Sequence, residues 1–259
     1  MRLIGRSEAI RTIEADIECA ARSDAKVLIT GETGVGKEVV ARLIHKRSHR
    51  NGPMVAVNCA GLPDSLLESE LFGHARGSFT GAYRDKPGLL EMAPHGTVFL
   101  DEVGEMSLRM QAVLLRFLET GEIHRVGSDR PVTRINLRLV TATNSNLQEQ
   151  VSSGAFRTDL YYRLNVVRLN IPPLRERAED VPLLIDHYLE VYAAQHKARR
   201  PEVSPAAMER LVAHNWPGNI RELRNIAERL VLKAAGRTIV EADFAADLAW
   251  STQEPANHA

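Results

Sequence analysis

The feature that most constrains this chain is an apolar run, Val27–Thr30, that leads directly into a glycine-rich loop. The glycines allow backbone N–H groups to converge on phosphate oxygens without a Cβ in the way. Lys37 can reach the β- and γ-phosphates, and a helix that begins near it directs its positive dipole end at the nucleotide. We therefore predict a strand, a nucleotide-binding loop and a helix. The loop residues are Gly31, Glu32, Thr33, Gly34, Val35, Gly36, Lys37 and Glu38.

The last position of the loop departs from the usual pattern. A serine or threonine normally follows the lysine, and its hydroxyl binds Mg²⁺. Here the residue is Glu38, whose carboxylate a triphosphate would repel. We expect Glu38 to point away from the phosphates, so that the metal depends on acidic residues elsewhere.

A second apolar run, residues 96–102, ends in two carboxylates, Asp101 and Glu102. The run is typical of a strand that is buried on both faces of a parallel sheet. We expect Asp101 to hold Mg²⁺ directly or through water, with Glu102 as a second candidate ligand. We also expect Glu102 to polarise the attacking water. The alternative is a strand that ends in two solvated acids.

Three more short runs read as strands, and helical stretches lie between most of them: residues 54–58, 137–143 and 166–170. This alternation predicts the α/β class, with a five-stranded parallel sheet flanked by helices and a ligand at the carboxyl ends of the strands. Asn58 and Asn144 follow two such ends. Their position allows them to orient water or a carboxylate, and equally to form turns.

The C-terminal third of the chain reads as helical. Two prolines in Ile171-Pro172-Pro173-Leu174 end the last strand and disfavour an immediate helix. Helical patterns then follow at 179–195, 204–214, 218–235 and 241–248. We predict an α/β nucleotide-binding subdomain at 1–172, an all-helical subdomain at 173–250 and a tail at 251–259.

Composition excludes several classes of protein. The 259 residues are 44% apolar and 25% charged, and the formal net charge is zero, so a densely basic nucleic-acid module is disfavoured. The two cysteines, Cys19 and Cys59, lack the spacing of a zinc site. We find no signal peptide and no apolar stretch near 18 residues, and therefore predict a cytoplasmic protein that does not contact a membrane.

A specific sequence block lies between the two nucleotide-binding strands. The residues Glu68–His74 read ESELFGH, and Gly77–Ala82 read GSFTGA. From Leu3 to Leu248 the chain resembles the AAA+ ATPase domain of bacterial enhancer-binding proteins, which activate sigma-54 RNA polymerase. The second block is similar to the GAFTGA loop of that family, with Ser78 in place of alanine.

This loop has two interpretations from its residues alone. A glycine-rich loop with a central aromatic, Phe79, suits a mobile contact surface, or else a turn whose Phe79 enters the core. The resemblance implies the first. It predicts a sigma-54 contact through Gly77, Ser78, Phe79, Thr80, Gly81 and Ala82.

The resemblance also implies roles for residues in other segments. Asn58 would hold Glu102 inactive until the target is engaged, and Thr143 with Asn144 would sense the γ-phosphate. Arg157 and Arg163 match the arginine fingers. Being six apart on a helix, they point in different directions, which leaves a structural role open for one of them. Arg221 matches the second sensor, and the segment that contains Ile4 would line the base pocket.

The resulting expectation is a Mg²⁺-dependent ATPase that assembles into a ring, with a hexamer as the expected size. It would act on the sigma-54 RNA polymerase holoenzyme. We expect no DNA-binding domain within this chain, although members of the family usually carry one. The alternatives are another AAA+ remodelling protein and a nucleotide-binding switch or scaffold without motor activity.

Overall fold

The computed structural model describes residues 2–79, 82–128, 131–234 and 236–251, with side chains described outside 131–134 and 249–251. Two compact units are present. The first contains Ala15–Gly31 and Lys37–Asn170, and the second contains Arg2–Glu14, Glu32–Gly36 and the residues from Ile171 onward. The two units interleave along the chain, whereas the predicted subdomains follow one another. The predicted boundaries at 172 and 250 stay predictions, and residues 252–259 of the predicted tail lie outside the described residues.

The strands of the first unit include the five that the sequence predicts. In chain order they are β1 Val27–Thr30, β2 Met54–Asn58, β3 Gly73–His74, β4 Lys86–Pro87, β5 Thr97–Asp101, β6 Glu122–His124, β7 Pro131–Arg134, β8 Arg138–Thr143 and β9 Val167–Asn170. A five-stranded sheet has the order β2-β5-β8-β1-β9, and its strands are all parallel. The predicted α/β class with a five-stranded parallel sheet is confirmed.

Burial across this sheet follows strand order. β8 is buried along its whole length, and only Asp101 of β5 is partly exposed. In each of the edge strands β2 and β9 a single residue is buried, Val57 and Leu169 respectively, and the other residues are more exposed. Central strands of a parallel sheet are covered on both faces, which explains the continuous apolar runs from which they were predicted.

The helices are distributed over both units. In chain order they are α1 Glu8–Ala21, α2 Lys37–Arg47, α3 Asp64–Phe72, α4 Leu108–Thr120, α5 Leu147–Ser152, α6 Thr158–Leu164, α7 Val181–Gln195, α8 Pro205–Val212, α9 Asn219–Ala234 and α10 Ala245–Ser251. Over the part of the chain that is described, every helix is too short or too polar to cross a membrane.

Two short hairpins interrupt the α/β pattern of the first unit, and the sequence did not predict them. β3 pairs with β4, and β6 pairs with β7, both antiparallel. The hairpins meet at a bridge between His74 and Val126, where Ala75 N donates to Val126 O and Val126 N donates to Gly73 O. Strands of two to four residues carry too little periodicity to be read from sequence.

The second unit has its own apolar core. Trp216 is fully buried there, among Leu184, Leu211, Leu223 and Phe244. The indole Nε1 of Trp216 donates to Leu211 O at 3.0 Å, so the buried polar atom is satisfied. Apart from a single bridge between Val203 and Ile239, the described C-terminal region is helical, as predicted.

Two local predictions in the helical region are wrong. A 3-10 helix, Leu174–Asp180, begins directly after Pro173, because a proline with φ −62° and ψ 159° is a suitable residue to precede a helix. The helix predicted at 241–248 is interrupted. A 3-10 turn covers Glu241–Asp243, and the buried Phe244 has φ −136° before α10 begins. Burial of this side chain overrides the helical preference of its neighbours.

Candidate functional site

Polar side chains of the first unit collect at the carboxyl edge of the sheet. Asn58 ends β2 opposite Asp101 of β5, and Thr30 ends β1 opposite Thr143 of β8. Glu102 follows Asp101 directly, and Gly31 N donates to Thr143 O at 3.3 Å. Because parallel strands end at the same edge, residues far apart in sequence meet here.

Both carboxylate oxygens of Glu102 are hydrogen-bonded at this edge. Its Oε1 accepts from Lys37 Nζ at 3.1 Å, and its Oε2 accepts from Asn144 N at 2.9 Å. Lys37 Nζ also donates to Gly31 O at 3.0 Å. Glu102 adopts a left-handed backbone, φ 54° and ψ 50°, at the start of a 3-10 helix. Backbone strain in non-glycine residues clusters at functional sites, although four other described non-glycine residues also have a positive φ.

Asp101 lies beside this carboxylate and is partly buried. Burial raises the pKa of Asp101, and the negative charge of Glu102 raises it further. Asp101 Oδ1 accepts from Glu102 N at 3.1 Å. The protein therefore holds two adjacent carboxylates, an arrangement that a cation would stabilise.

The donor set at this edge fits Mg²⁺ in chemistry and in number. Among the described residues, no group of three or more His, Cys, Asp or Glu side chains is arranged to hold a metal alone. Mg²⁺ prefers oxygen ligands and is commonly held by one or two carboxylates, with waters and substrate phosphates completing its shell. Asp101 and Glu102 supply carboxylates of this kind.

Glu38 is turned to a partner on its own helix. Its Oε1 accepts from Arg42 Nε at 2.9 Å and also contacts Arg42 Nη2, in an exposed i,i+4 ion pair. The guanidinium compensates the carboxylate charge near the loop.

Asn58 makes a local turn contact. Its Oδ1 accepts from Ala60 N at 2.9 Å, which is the turn-forming interpretation that its position had left open. Lys37 and the Asn144 backbone hold Glu102. The role of Asn58 in restraining Glu102 stays a prediction.

Cys59 belongs to this edge as well, although sequence reasoning assigned it no role there. Its N donates to Asp101 O at 2.9 Å, and the thiol is buried. Burial raises the pKa of Cys59 to about 12, and the charges of Asp101 and Glu102 contribute in the same direction. The residue type alone gave no signal for this shift, because it depends on how deeply the folded protein buries the thiol and on the two carboxylates that folding brings near it.

We expect the two thiols to differ in reactivity. At pH 8 only about 10⁻⁴ of Cys59 would be thiolate, the form that reacts with alkylating agents. Iodoacetamide treatment of the native protein, followed by mass spectrometry, should label the exposed Cys19 first and Cys59 only after denaturation. Equal labelling rates in the native protein would contradict the buried environment.

Glycine-rich loop residues 32–36 lie in the second unit, next to the start of α9. A Cβ on Gly34, whose φ is +82°, would lie 2.4 Å from Gly218 O and 3.1 Å from Arg221 Cβ, so only glycine fits. Arg221 is exposed in the first turn of α9. Ile4 is partly buried against the helical core of the same unit.

The two candidate arginine fingers differ in their surroundings. Arg157 precedes α6 and forms a double contact with Asp159, Nε to Oδ1 at 3.1 Å and Nη2 to Oδ2 at 2.7 Å. Arg163 lies in the last turn of α6, and its Nη2 donates to Leu118 O at 3.3 Å. Both residues are exposed. Arg157 is already engaged by a carboxylate, which favours Arg163 as the arginine that is presented outward.

The GSFTGA segment is a tight loop where it is described; Thr80 and Gly81 lie outside the described residues. Gly77 N donates to Ala82 O at 2.8 Å, and Ala82 N donates to Phe79 O at 3.0 Å. Phe79 is 44% exposed, and its ring forms a T-shaped pair with the ring of His74, with 4.9 Å between centroids. An aromatic this exposed suits a contact surface better than a core position.

Ser78 packs toward the second hairpin. A Cβ on Gly127, whose φ is +78°, would lie 2.5 Å from the Cβ of Ser78. Ser78 Oγ is buried and lacks a hydrogen-bond partner among the described residues. The hydroxyl that distinguishes Ser78 from alanine is therefore accommodated sterically without gaining a bond.

Comparison with known proteins is consistent with this geometry. The profile of the sigma-54 interaction domain matches residues 3–170, and that of the AAA+ ATPase lid domain matches residues 175–259. The nitric oxide reductase transcription regulator NorR2 of Cupriavidus necator is 52% identical over 236 residues, which are 91% of this chain and 45% of that protein. The regulatory protein AtoC of Escherichia coli is 48% identical over 243 residues, 93% of this chain and 52% of that protein.

A solved structure shows the same fold. NtrX from Brucella abortus in complex with ATP has a TM-score of 0.87 and 36% identity, and the match covers 98% of this chain and 59% of that chain. The chain spans about half the length of the curated relatives it matches.

Proposed function

The chain belongs to the sigma-54 interaction domain family, with an AAA+ lid domain in its C-terminal part, and from this we propose that it hydrolyses ATP to drive sigma-54-dependent transcription activation. The observation that carries the proposal is the Glu102 carboxylate, held between Lys37 Nζ and Asn144 N at the ends of the central strands. A carboxylate fixed in this way beside a nucleotide-binding lysine suits the orientation of an attacking water.

We propose that the loop from Gly31 to Lys37 binds the phosphates of ATP. The structural neighbour NtrX binds ATP, which supports the same substrate here. Asp101 would hold Mg²⁺ with Glu102 close by, and the ion when bound would neutralise charge on the phosphate oxygens. Glu102 would accept the proton of the water that attacks the γ-phosphate, and ADP would leave. Arg221 and Ile4 would also contact the nucleotide, as the resemblance implies.

We propose that neighbouring subunits complete each site, in a ring that the family resemblance suggests is a hexamer. A guanidinium stays charged and can grip phosphate oxygens as their charge develops. Arg163 is the better candidate for this role, since Arg157 is paired with Asp159. Asn58 and Thr143 would tune Glu102 and sense the phosphate, as the resemblance implies.

Replacing Arg163 with alanine should leave ATP binding intact and lower turnover by about 10³-fold or more, the range for an arginine supplied in trans. Arg168→Ala, at an exposed position on β9, is the matched control and should keep wild-type turnover. Binding and steady-state hydrolysis are measured on the same preparations. Wild-type turnover in the Arg163→Ala variant would refute the finger role.

Mixing two inactive variants makes this test sharper. An Arg163→Ala subunit keeps its own Glu102, and a Glu102→Gln subunit keeps its Arg163. If the finger acts between subunits, an equimolar mixture regains turnover that neither variant has alone. A mixture that stays inactive would indicate that Arg163 serves its own site.

The segment from Gly77 to Ala82 would contact the sigma-54 RNA polymerase holoenzyme. Phe79 is the exposed aromatic there, and the hairpin bridge at His74 and Val126 fixes the base of the loop. Aromatic side chains in exposed loops are frequent anchors of protein interfaces. Movement of this loop during the ATPase cycle would remodel the closed promoter complex.

A further inference from the structure

Two carbonyl groups of the nucleotide-binding loop are held by side chains of the helical unit. Thr33 O accepts from Asn219 Nδ2 at 3.1 Å, and Val35 O accepts from Arg177 Nη2 at 3.3 Å. All of these residues lie in the second unit, in which loop residues 32–36 pack with the C-terminal helices. The peptide units that follow Thr33 and Val35 are therefore held by hydrogen bonds to their carbonyl oxygens.

Fixing a carbonyl also fixes an N–H. In a trans peptide the C=O and the following N–H point in opposite directions. Capture of Thr33 O thus orients the N–H of Gly34, and capture of Val35 O orients the N–H of Gly36. Backbone N–H groups are the donors with which such loops bind phosphate. Since the two carbonyls face Asn219 and Arg177, these two N–H groups point away from those side chains.

The position and conformation of Asn219 suit it to hold the Thr33 carbonyl. It is fully buried, its φ is +53°, and asparagine tolerates this left-handed conformation better than most residues. Its Oδ1 accepts from Leu174 N at 2.7 Å, and its Nδ2 also donates to Glu32 Oε2 at 3.1 Å. One carboxamide therefore connects the start of α9 to the 3-10 helix and to two loop residues.

Glu32 is itself fixed by a third residue. Arg175 donates to both of its oxygens, Nη1 to Oε2 at 2.9 Å and Nη2 to Oε1 at 2.6 Å. The hydrogen bond from Arg175 lowers the pKa of Glu32, with a smaller contribution from Asn219. The carboxylate is thus charged and oriented, and it presents an acceptor to Asn219 Nδ2.

Arg177 holds the second carbonyl, that of Val35, and its burial is energetically unfavourable. Its side chain is only 3% exposed, and burial lowers its pKa, opposed by the charge of Asp180. Its backbone, φ −139° and ψ 45°, interrupts the 3-10 helix. Burying a guanidinium is unfavourable unless it is paired and hydrogen-bonded. A role for its contact with the loop explains why such a group is placed here.

We propose that Asn219 and Arg177 are positioning residues that hold the nucleotide-binding loop with the N–H groups of Gly34 and Gly36 directed at phosphate. The inference rests on the proposed function, because it assigns these residues to nucleotide binding. It gives the helical unit a second role beside Arg221, namely to pre-form the loop. Neither Asn219 nor Arg177 contacts phosphate in this role; they act through the loop backbone.

Asn219→Asp tests the proposal with a nearly isosteric change. The contact between Oδ1 and Leu174 N survives. The Nδ2 amide group, which donates to Thr33 O and Glu32 Oε2, is replaced by a carboxylate oxygen that can only accept, so both contacts become repulsive. Binding of MgADP to the full chain, measured by calorimetry, should weaken about tenfold to a hundredfold. Ser204→Ala is the control for general damage to the helical unit, since it removes the cap of α8, where Ser204 Oγ accepts from Ala207 N at 3.3 Å.

Adding Glu32→Gln to the Asn219→Asp variant restores a donor to one of the two lost contacts, the hydrogen bond between positions 32 and 219. The glutamine amide can donate to the new carboxylate while its oxygen still accepts from Arg175. The single Glu32→Gln variant is measured as the reference for the double variant, which should recover part of the logarithmic loss that Asn219→Asp causes. Recovery would tie the loss of affinity to the hydrogen bond between positions 32 and 219, and the urea-matched Ser204→Ala variant separates this loss from general destabilisation of the helical unit.

The outcomes separate the inference from the proposed function. If the wild-type chain binds no MgADP, the proposed function fails. If the wild type binds and Asn219→Asp binds equally well, the positioning role is overturned. It is also overturned if Ser204→Ala, matched in urea unfolding midpoint, loses as much affinity as Asn219→Asp, or if the double variant shows no recovery. Loss in Asn219→Asp with rescue in the double variant supports the proposal.

Discussion

Replacing Glu102 with glutamine is expected to abolish ATP turnover while ATP binding stays in place. The amide keeps the shape of the side chain and can still accept from Asn144 N, but it cannot take a proton from water. The loss should be about 10²- to 10⁴-fold in kcat, the usual contribution of a general base. ATP affinity should be no weaker than wild type, because the change also removes the ion pair that engages Lys37 at 3.1 Å.

The control for this variant lies three residues away. Glu105 ends the same 3-10 helix, is exposed, and accepts from Ser145 Oγ at 3.5 Å. Glu105→Gln should hydrolyse ATP at the wild-type rate. Turnover by the Glu102→Gln variant within a few-fold of wild type would exclude Glu102 as the base. It would leave the strained backbone at this residue without a catalytic explanation.

Replacing Phe79 with alanine is expected to abolish activation of transcription while ATP hydrolysis continues. Phe79 is not among the residues that contact Glu102, which are Lys37 and Asn144. Its ring forms a T-shaped pair with the ring of His74. An aromatic anchor at an interface is commonly worth about 2 kcal/mol or more, which is about 30-fold in binding. We therefore expect open-complex formation by the sigma-54 holoenzyme to fall at least that much at a fixed protein concentration.

Tyr83 offers a matched control in the same loop region. It is 87% exposed, more than Phe79, but lies just beyond the GSFTGA residues. Tyr83→Ala should retain both ATP hydrolysis and open-complex formation. Normal activation by Phe79→Ala would remove the basis for assigning the loop to sigma-54. Loss of ATPase activity in that variant would instead indicate a structural role for the ring.

The parallel sheet was predictable because its physical signal is local. β1 and β5 are apolar runs that end in a loop glycine or a carboxylate, and burial on both faces requires such runs. Strand order at the carboxyl edge then brings Asp101, Glu102 and Asn144 close together. These residues could be predicted because the end of a strand is visible in the local sequence, whichever strands pair with it.

The features that could not be predicted from the sequence depend on contacts between residues that are far apart in the chain. Asn219 and Glu32 are 187 positions apart, and their hydrogen bond has no local pattern. The raised pKa of Cys59 comes first from burial and then from the charges of Asp101 and Glu102. The predicted helix is interrupted at Phe244 because the Phe244 ring is buried, although the neighbouring residues favour a helix. In each case tertiary packing overrides or supplements local preference, and a single sequence carries no record of it.

The most direct test of the proposed ATPase is turnover per chain as a function of protein concentration at saturating MgATP. Sites that neighbouring subunits complete through Arg163 should show specific activity that rises steeply with concentration and then reaches a plateau. The Glu102→Gln variant should stay inactive throughout. A specific activity that is flat and low at every concentration would contradict the account, and a nucleotide-binding switch without motor activity would then explain the site better.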